Sequence, residues 1–177
     1  MNKIILKALS LTFVSLLMTS LTWAQDNKKP LSPPETATGT AAGAHITINY
    51  SSPGVKGRKI WGGLVPYDKV WRTGANKATT FETDKAIKVE GKELAAGTYS
   101  LYTIPGEKEW VFIFNSQTGQ WGINEDGSTT EDPGKDVIRV TVKPKKSDAF
   151  NERMKFVVHK GGFTLEWENL SVPVSVK

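Results

Sequence analysis

Trp71 and Arg72 stand side by side in VWRTGANKATT, residues 70 to 80, and are followed by Gly74, Asn76, Thr79 and Thr80. Their chemistry is that of recognition. An arginine presents five planar donors, an asparagine amide a donor and an acceptor, and threonines add hydroxyls. A tryptophan supplies a flat apolar wall for a sugar ring or another small molecule, and Trp61 or Trp121 is the candidate for that wall. Arg58, in KGRKIWG, adds a second cation. The expected ligand-binding set is therefore Arg58, Trp71, Arg72, Asn76, Thr79, Thr80 and Trp121, facing a carboxylated or polyhydroxylated ligand. A plainer reading competes with it. Adjacent residues of an extended segment point to opposite sides, so Trp71 can plug the core while backbone carbonyls tie down Arg72 and Gly74 with Asn76 makes a positive-φ turn.

Other chemistry finds weaker footing. Cys is absent and no G-x-S-x-G elbow occurs, so nucleophilic catalysis lacks its usual parts. His45 and His159 are lone strand histidines, and two of them do not make a zinc site. Glu166 and Glu168 in FTLEWEN fall on one strand face, where Arg139 is a candidate partner for either. Acid and nucleophile pairs in glycosidases flank the scissile bond and usually come from different strands. The oxygen-rich loop INEDGSTTEDPGKD invites calcium, but an EF-hand register puts Gly122 first and Pro133 last, and the motif fails. The sequence points to no cofactor and no metal.

The elements that would position these residues are strands. AHITINY alternates, with Ala44, Ile46, Ile48 and Tyr50 on one face. Short alternating runs follow at ATTF, AIKVEG, TYSLYTIP, VIRVTVK, MKFVVHK, FTLEWEN and LSVPVSVK, the last marked as an edge by Pro173. EWVFIFN is apolar on both faces, as a central strand covered above and below should be. The best helical candidate is one turn around PYDKV, after Pro66. The pattern predicts an all-β, antiparallel β-sandwich of jelly-roll or Greek-key type, with about eight to ten short strands and at most one or two short helical turns. Its single domain would run from residue 44 to 177, preceded by a polar, flexible lead-in over residues 25–43.

The first residues place Lys3 and Lys7 before an apolar run that closes on Thr22-Trp23-Ala24, the order of a secretory signal peptide cleaved after Ala24. The expected product is exported to the periplasm or beyond the cell, without disulfides and with no transmembrane segment once the signal is removed. Lys3 and Lys7 supply two of the five net positive charges, and the remaining +3 is spread along the chain. Nucleic acid is not an expected partner, because phosphate binding needs a concentrated basic face.

YSSPGVKGRKIWGGLVPYDKVWRTGANKATTF, GKELAAGTYSLYTIP, EWVFIFN, QWG and DVIRV together resemble the exported bacterial proteins grouped as domain of unknown function family 2911. The likeness covers roughly residues 31 to 177 and implies an all-β exported domain without assigned activity. Two positions depart from the pattern: Ser52 stands where a basic residue often precedes the proline, and a polar loop follows Trp-Gly where an aromatic is common. The reading that emerges is a non-catalytic binder of a small polar ligand, glycan or envelope component. The alternatives are a carboxylate-dependent hydrolase of envelope polymers and a structural or assembly protein.

Overall fold

Alternation builds the domain as the pattern requires. In the strand Ala44–Ser51 (β2), Ala44, Ile46, Ile48 and Tyr50 are buried while His45 and Asn49 are exposed. The same two-residue period buries Thr79, Phe81 and Thr83 in Thr79–Thr83 (β3). The computed structural model describes residues 30–177. The signal peptide expected at residues 1–24 and the first part of the lead-in lie outside them.

The lead-in does not stay loose to residue 43. Pro34–Ala41 forms a strand (β1) that pairs antiparallel with β2 from Pro34↔Ser51 to Ala41↔Ala44. It alternates too, but its inward residues are Ala37, Gly39 and Ala41, too small to register as apolar periodicity. Gly39 is needed there, since a Cβ would lie 2.9 Å from Val158.

The remaining strands are Ile87–Val89 (β4), Lys92–Leu94 (β5), Gly97–Pro105 (β6), Trp110–Asn115 (β7), Asp136–Val142 (β8), Lys145–His159 (β9) and Gly162–Ser175 (β10). One antiparallel sheet has the order β1-β2-β3-β6-β7-β8, β9 and β10 form a long ribbon, and β4 and β5 a hairpin. Short turns such as Ala42–Gly43 keep chain neighbours paired, so the large sheet is a meander with one skip, where a jelly-roll or Greek-key crossing was expected. The expected separate strands FTLEWEN and LSVPVSVK fuse into β10, bent at Glu168, whose φ is 55° and beside which the pairing register shifts. Pro173 lies beyond Ser171↔Lys145, the last rung with β9, where a missing N–H costs no ladder bond.

The ribbon packs across the inner face of the large sheet, and backbone bonds tie it to the chain after β2 and to β4 of the small hairpin. Met154 N donates to Pro53 O at 3.0 Å and Val55 N to Glu152 O at 2.8 Å, while Lys88 and Lys177 exchange N–H···O bonds of 2.7 and 2.9 Å. Ser52 is buried here, its hydroxyl donating to Met154 O at 2.6 Å, so this departure from the family pattern serves packing. The expected helical turn at PYDKV is absent because Asp68 takes φ 57°, which a right-handed helix excludes. A 3₁₀ turn occurs instead at Pro133–Lys135, where Asp132 caps Gly134 N at 2.9 Å.

Four tryptophans meet in the core. Trp61 contacts Trp110 and Trp167 edge to face at 4.9 and 5.6 Å between ring centroids, and Trp71 stacks on Trp167 at 5.9 Å with 18° between planes. Edge-to-face and offset contacts suit the aromatic quadrupole and add to the area each ring buries. Trp110→Ala should therefore lower unfolding free energy by about 3–5 kcal/mol in urea titrations. An unchanged midpoint would remove the cluster from the centre of the core.

Candidate functional site

Trp71 reaches the cluster because of one rung. Trp71 N donates to Thr103 O at 2.7 Å and Thr103 N returns a bond of 2.9 Å to Trp71 O, while Thr79 pairs with Leu101 one inward position along the same edge of β6. Residues 72–78 leave the β3 line and rejoin it, closed by Thr79 N to Arg72 O at 3.4 Å. Parity sends Trp71 inward and Arg72 toward the outer face of the large sheet.

The excursion is tightly held. Thr73 has φ 55°, an uncommon conformation for a β-branched residue. Its hydroxyl bonds Trp71 O at 3.2 Å and Thr103 Oγ1 at 3.1 Å, and Thr79 Oγ1 donates to Thr73 O at 2.8 Å. Thr79 is thus fully buried and turned to its own loop. Asn76, with φ 59°, donates from Nδ2 to Ser32 O at 3.3 Å and Ser51 Oγ at 3.2 Å, fastening the entry to β1. Thr80 is half-buried on the outer face, in register with Asn49 and Ser100. Arg58 folds back on its own turn, donating to Val55 O at 3.1 Å and Gly54 O at 2.6 Å. Trp61 lies in the core and offers no wall.

The outer face carries a second apolar cluster, Ala78, Tyr102 and Ile113, against which Val70, Ile104 and Val111 pack. The segment around QWG is laid over this side. Ala78 N donates to Gln120 O at 3.3 Å, Lys77 and Trp121 form a bridge, and Gly122 N donates to Asn76 O at 3.1 Å. A Cβ on Gly122 would overlap Arg72 Cδ and lie 2.8 Å from Arg72 Cβ, so the arginine stem occupies the space a side chain would need. The two motifs of the sequence therefore dock on each other. Trp121, next to Gly122 in the chain, is left 53% exposed.

Gln120, which the sequence did not single out, is fixed by its amide. Nε2 donates to Tyr102 OH at 2.8 Å, Ser100 Oγ at 3.2 Å and Gln117 O at 3.2 Å, while Oε1 is buried without a hydrogen-bond partner among the described residues.

The four arginines of the chain differ in one respect. Arg58 is spent on two carbonyls, Arg153 Nη1 donates to Leu31 O at 3.1 Å and Ser52 O at 2.9 Å, and Arg139 holds two carboxylates. Arg72 is half-buried, yet its single bond is a long one, Nε to Gly74 O at 3.3 Å. Among the described residues its two terminal nitrogens meet no acceptor and no carboxylate pairs with it. Burial pulls its pKa below the ordinary arginine value. The guanidinium stays charged at physiological pH, and a half-buried cation without a counter-charge can accept an anion.

The acidic groups are arranged otherwise than expected. Arg139 pairs with Glu131 at 3.0 Å and Asp136 at 2.6 Å, not with Glu166 or Glu168, because one partner comes from the loop leading into its strand and the other opens that strand. Glu166 pairs with Lys155 at 2.9 Å across the ribbon. Asp126 receives Ser128 N at 2.9 Å and Ser128 Oγ at 2.6 Å within its own turn. Among the described residues no three acidic or histidine side chains gather as a metal site. His159 Nε2 lies 3.2 Å from Thr164 Oγ1, and His45 is exposed on its strand.

Two predictions follow the loop geometry. Gly122→Ala should cost about 1–3 kcal/mol by overpacking against Arg72, and the loss should shrink in an Arg72→Ala background; equal losses in both backgrounds, by urea titration, would refute the docking. For Glu131, burial first and Asp136 second raise the pKa, with Arg139 opposing them. A raised carboxyl pKa favours the folded state while the group is protonated, and that contribution is lost as pH rises through the folded value. Glu131→Gln should therefore gain in melting temperature relative to the parent as pH rises above the ordinary carboxylate value of 4.5. A constant difference above that value would contradict it.

No curated protein and no solved structure matches the chain. The sequence profile of the family described as "Protein of unknown function (DUF2911)" matches residues 32–176, a span that takes in β1 and every later strand, and the chain belongs to that family.

Proposed function

We propose that the domain is a non-catalytic binder of a small polar ligand carrying an anionic group, such as an acidic glycan unit, at Arg72 and Trp121. The observation that carries this reading is the half-buried guanidinium of Arg72, unpaired among the described residues, with the exposed Trp121 on the segment that docks against its stem. Arg72 would hold a carboxylate through its two terminal nitrogens, a geometry lysine does not reproduce. Trp121 would cover the apolar face of a sugar ring. Thr80 shares the outer face, while Asn76 and Thr79 brace the loop rather than meet the ligand. The signal-like residues 1–24 fit an exported protein that meets envelope or extracellular glycans. The hydrolase reading draws less support, since Glu131 and Asp136 are engaged by Arg139 and Glu166 by Lys155.

Titration calorimetry with glucuronate and galacturonate oligomers, set against neutral glucose oligomers, tests it. The parent should bind the acidic series, and Arg72→Ala should weaken that binding by roughly ten- to a hundredfold, the worth of a hydrogen bond to a charged group. Arg72→Lys should recover little of it. Equal affinity of parent and Arg72→Ala, with both proteins folded by circular dichroism, would discard the site.

A further inference from the structure

A second concavity lies away from these residues. Tyr67, Asp68, Glu107, Lys108, Glu109 and Lys143 line a cleft of ≈ 790 Å³ between the turn at 67–68, the β6–β7 hairpin and the β8–β9 junction. Its aromatic wall is rigid. Tyr67 packs against the main core and lies so close to Gly62 that a Cβ there would come within 2.8 Å of Tyr67 Cε2. Asp68 is also anchored, its N–H donating to Pro105 O at 2.8 Å. That bond sets the carboxylate beside the hairpin, Oδ1 lying 3.6 Å from the position a Gly106 Cβ would take.

The walls carry an unneutralised charge. Three carboxylates and two ammonium groups share the cleft, yet among the described residues none of Asp68, Glu107 or Glu109 forms an ion pair or a side-chain hydrogen bond with Lys108 or Lys143. The Tyr67 hydroxyl senses the result. Its pKa is raised first by burial and then by Glu107 and Glu168. The chain as a whole is positive by five charges, so this negative hollow runs against its net sign.

We propose that the cleft binds a primary ammonium group carried by a small molecule, with the cation over the Tyr67 ring and between Asp68 and Glu107. A cation within about 6 Å of an aromatic face gains from the ring quadrupole, and flanking carboxylates add direct attraction. The two lysines narrow the choice, because they repel a bulky polycation while leaving room for a single ammonium group on a small body. This site is independent of Arg72 and takes ligands of the opposite charge.

The test is an amide chemical-shift titration of the full domain with glucosamine, ethanolamine, N-acetylglucosamine and glucose. Glucosamine or ethanolamine should shift the amides of residues 67–68 and 106–109, while N-acetylglucosamine and glucose, which lack the ammonium group, should not. Asp68→Asn combined with Glu107→Gln should weaken binding about fivefold or more, each exposed ion pair being worth roughly two- to fivefold. Asparagine tolerates the positive φ of residue 68, so this variant keeps the turn. Tyr67→Phe should bind like the parent and Tyr67→Ala should not. Shifts of equal size with the neutral sugars, no shift with either amine, or unchanged affinity in the double variant would overturn the proposal. Because Arg72→Ala leaves this cleft intact, the two sites can fail separately.

Discussion

A single antiparallel rung, Trp71 with Thr103, sets the phase on which both faces of the domain depend. It continues the edge of β6 that Thr79 and Phe81 occupy, so the chain must rejoin the ladder with inward and outward residues unexchanged after looping through 72–78. A slip of one residue would put an arginine among the other three tryptophans and the Trp71 indole in water. The threonines prevent it. Thr73 donates to Thr103 Oγ1 and accepts from Thr79 Oγ1, and the positive φ of Thr73 is the local cost of turning the chain there. Strain at a β-branched residue persists only where the surroundings over-determine it, and here two hydroxyl bonds and a closed rung do so.

From that rung the outer layer follows. With Arg72 directed outward, its stem needs a neighbour without a side chain, and Gly122 meets that need. The glycine brings Trp121 and Gln120 with it, and Gln120 is then pinned by Ser100 and Tyr102 on the sheet beneath. One parity choice in β6 thus determines a core stack on one side and, on the other, a half-buried cation whose stem receives the Gln120–Gly122 segment.

Much of the architecture was legible because bulky residues alternate. β2, β3 and the doubly covered β7 are set by Ile, Phe and Trp at fixed spacing, and Trp71 against Arg72 obeyed the same rule. β1 was illegible because Ala37, Gly39 and Ala41 alternate in size too small to show against polar neighbours. The fusion of two expected strands into β10 depends on Glu168, a residue type that gives no sign of a bulge. The site was legible in its charge and its aromatic, and illegible in its partition. Nothing local distinguishes Thr79, which bonds its own loop, from Thr80, which faces out, except the register with β6. Gln120 and Gly122 gained meaning only through contacts some 20 to 50 positions away in the chain, which local patterning does not encode.

The unsatisfied polar groups divide between the core and the outer face. Inside the core, the indole N–H groups of Trp61, Trp110 and Trp167 find no oxygen or nitrogen acceptor among the described residues. They belong to a cluster built of edge-to-face contacts, in which neighbouring ring faces are available as weak acceptors. Their deficit is small and is offset where it arises. On the outer face the Oε1 of Gln120 is buried without a partner among the described residues, whereas the terminal nitrogens of Arg72 remain open to water. Buried polar groups left without partners cost about 1–3 kcal/mol each, more when charged. The fold binds its other three arginines to carbonyls and carboxylates, and leaves this one half-buried with two nitrogens that meet no protein partner among the described residues and stay open to water or to a ligand.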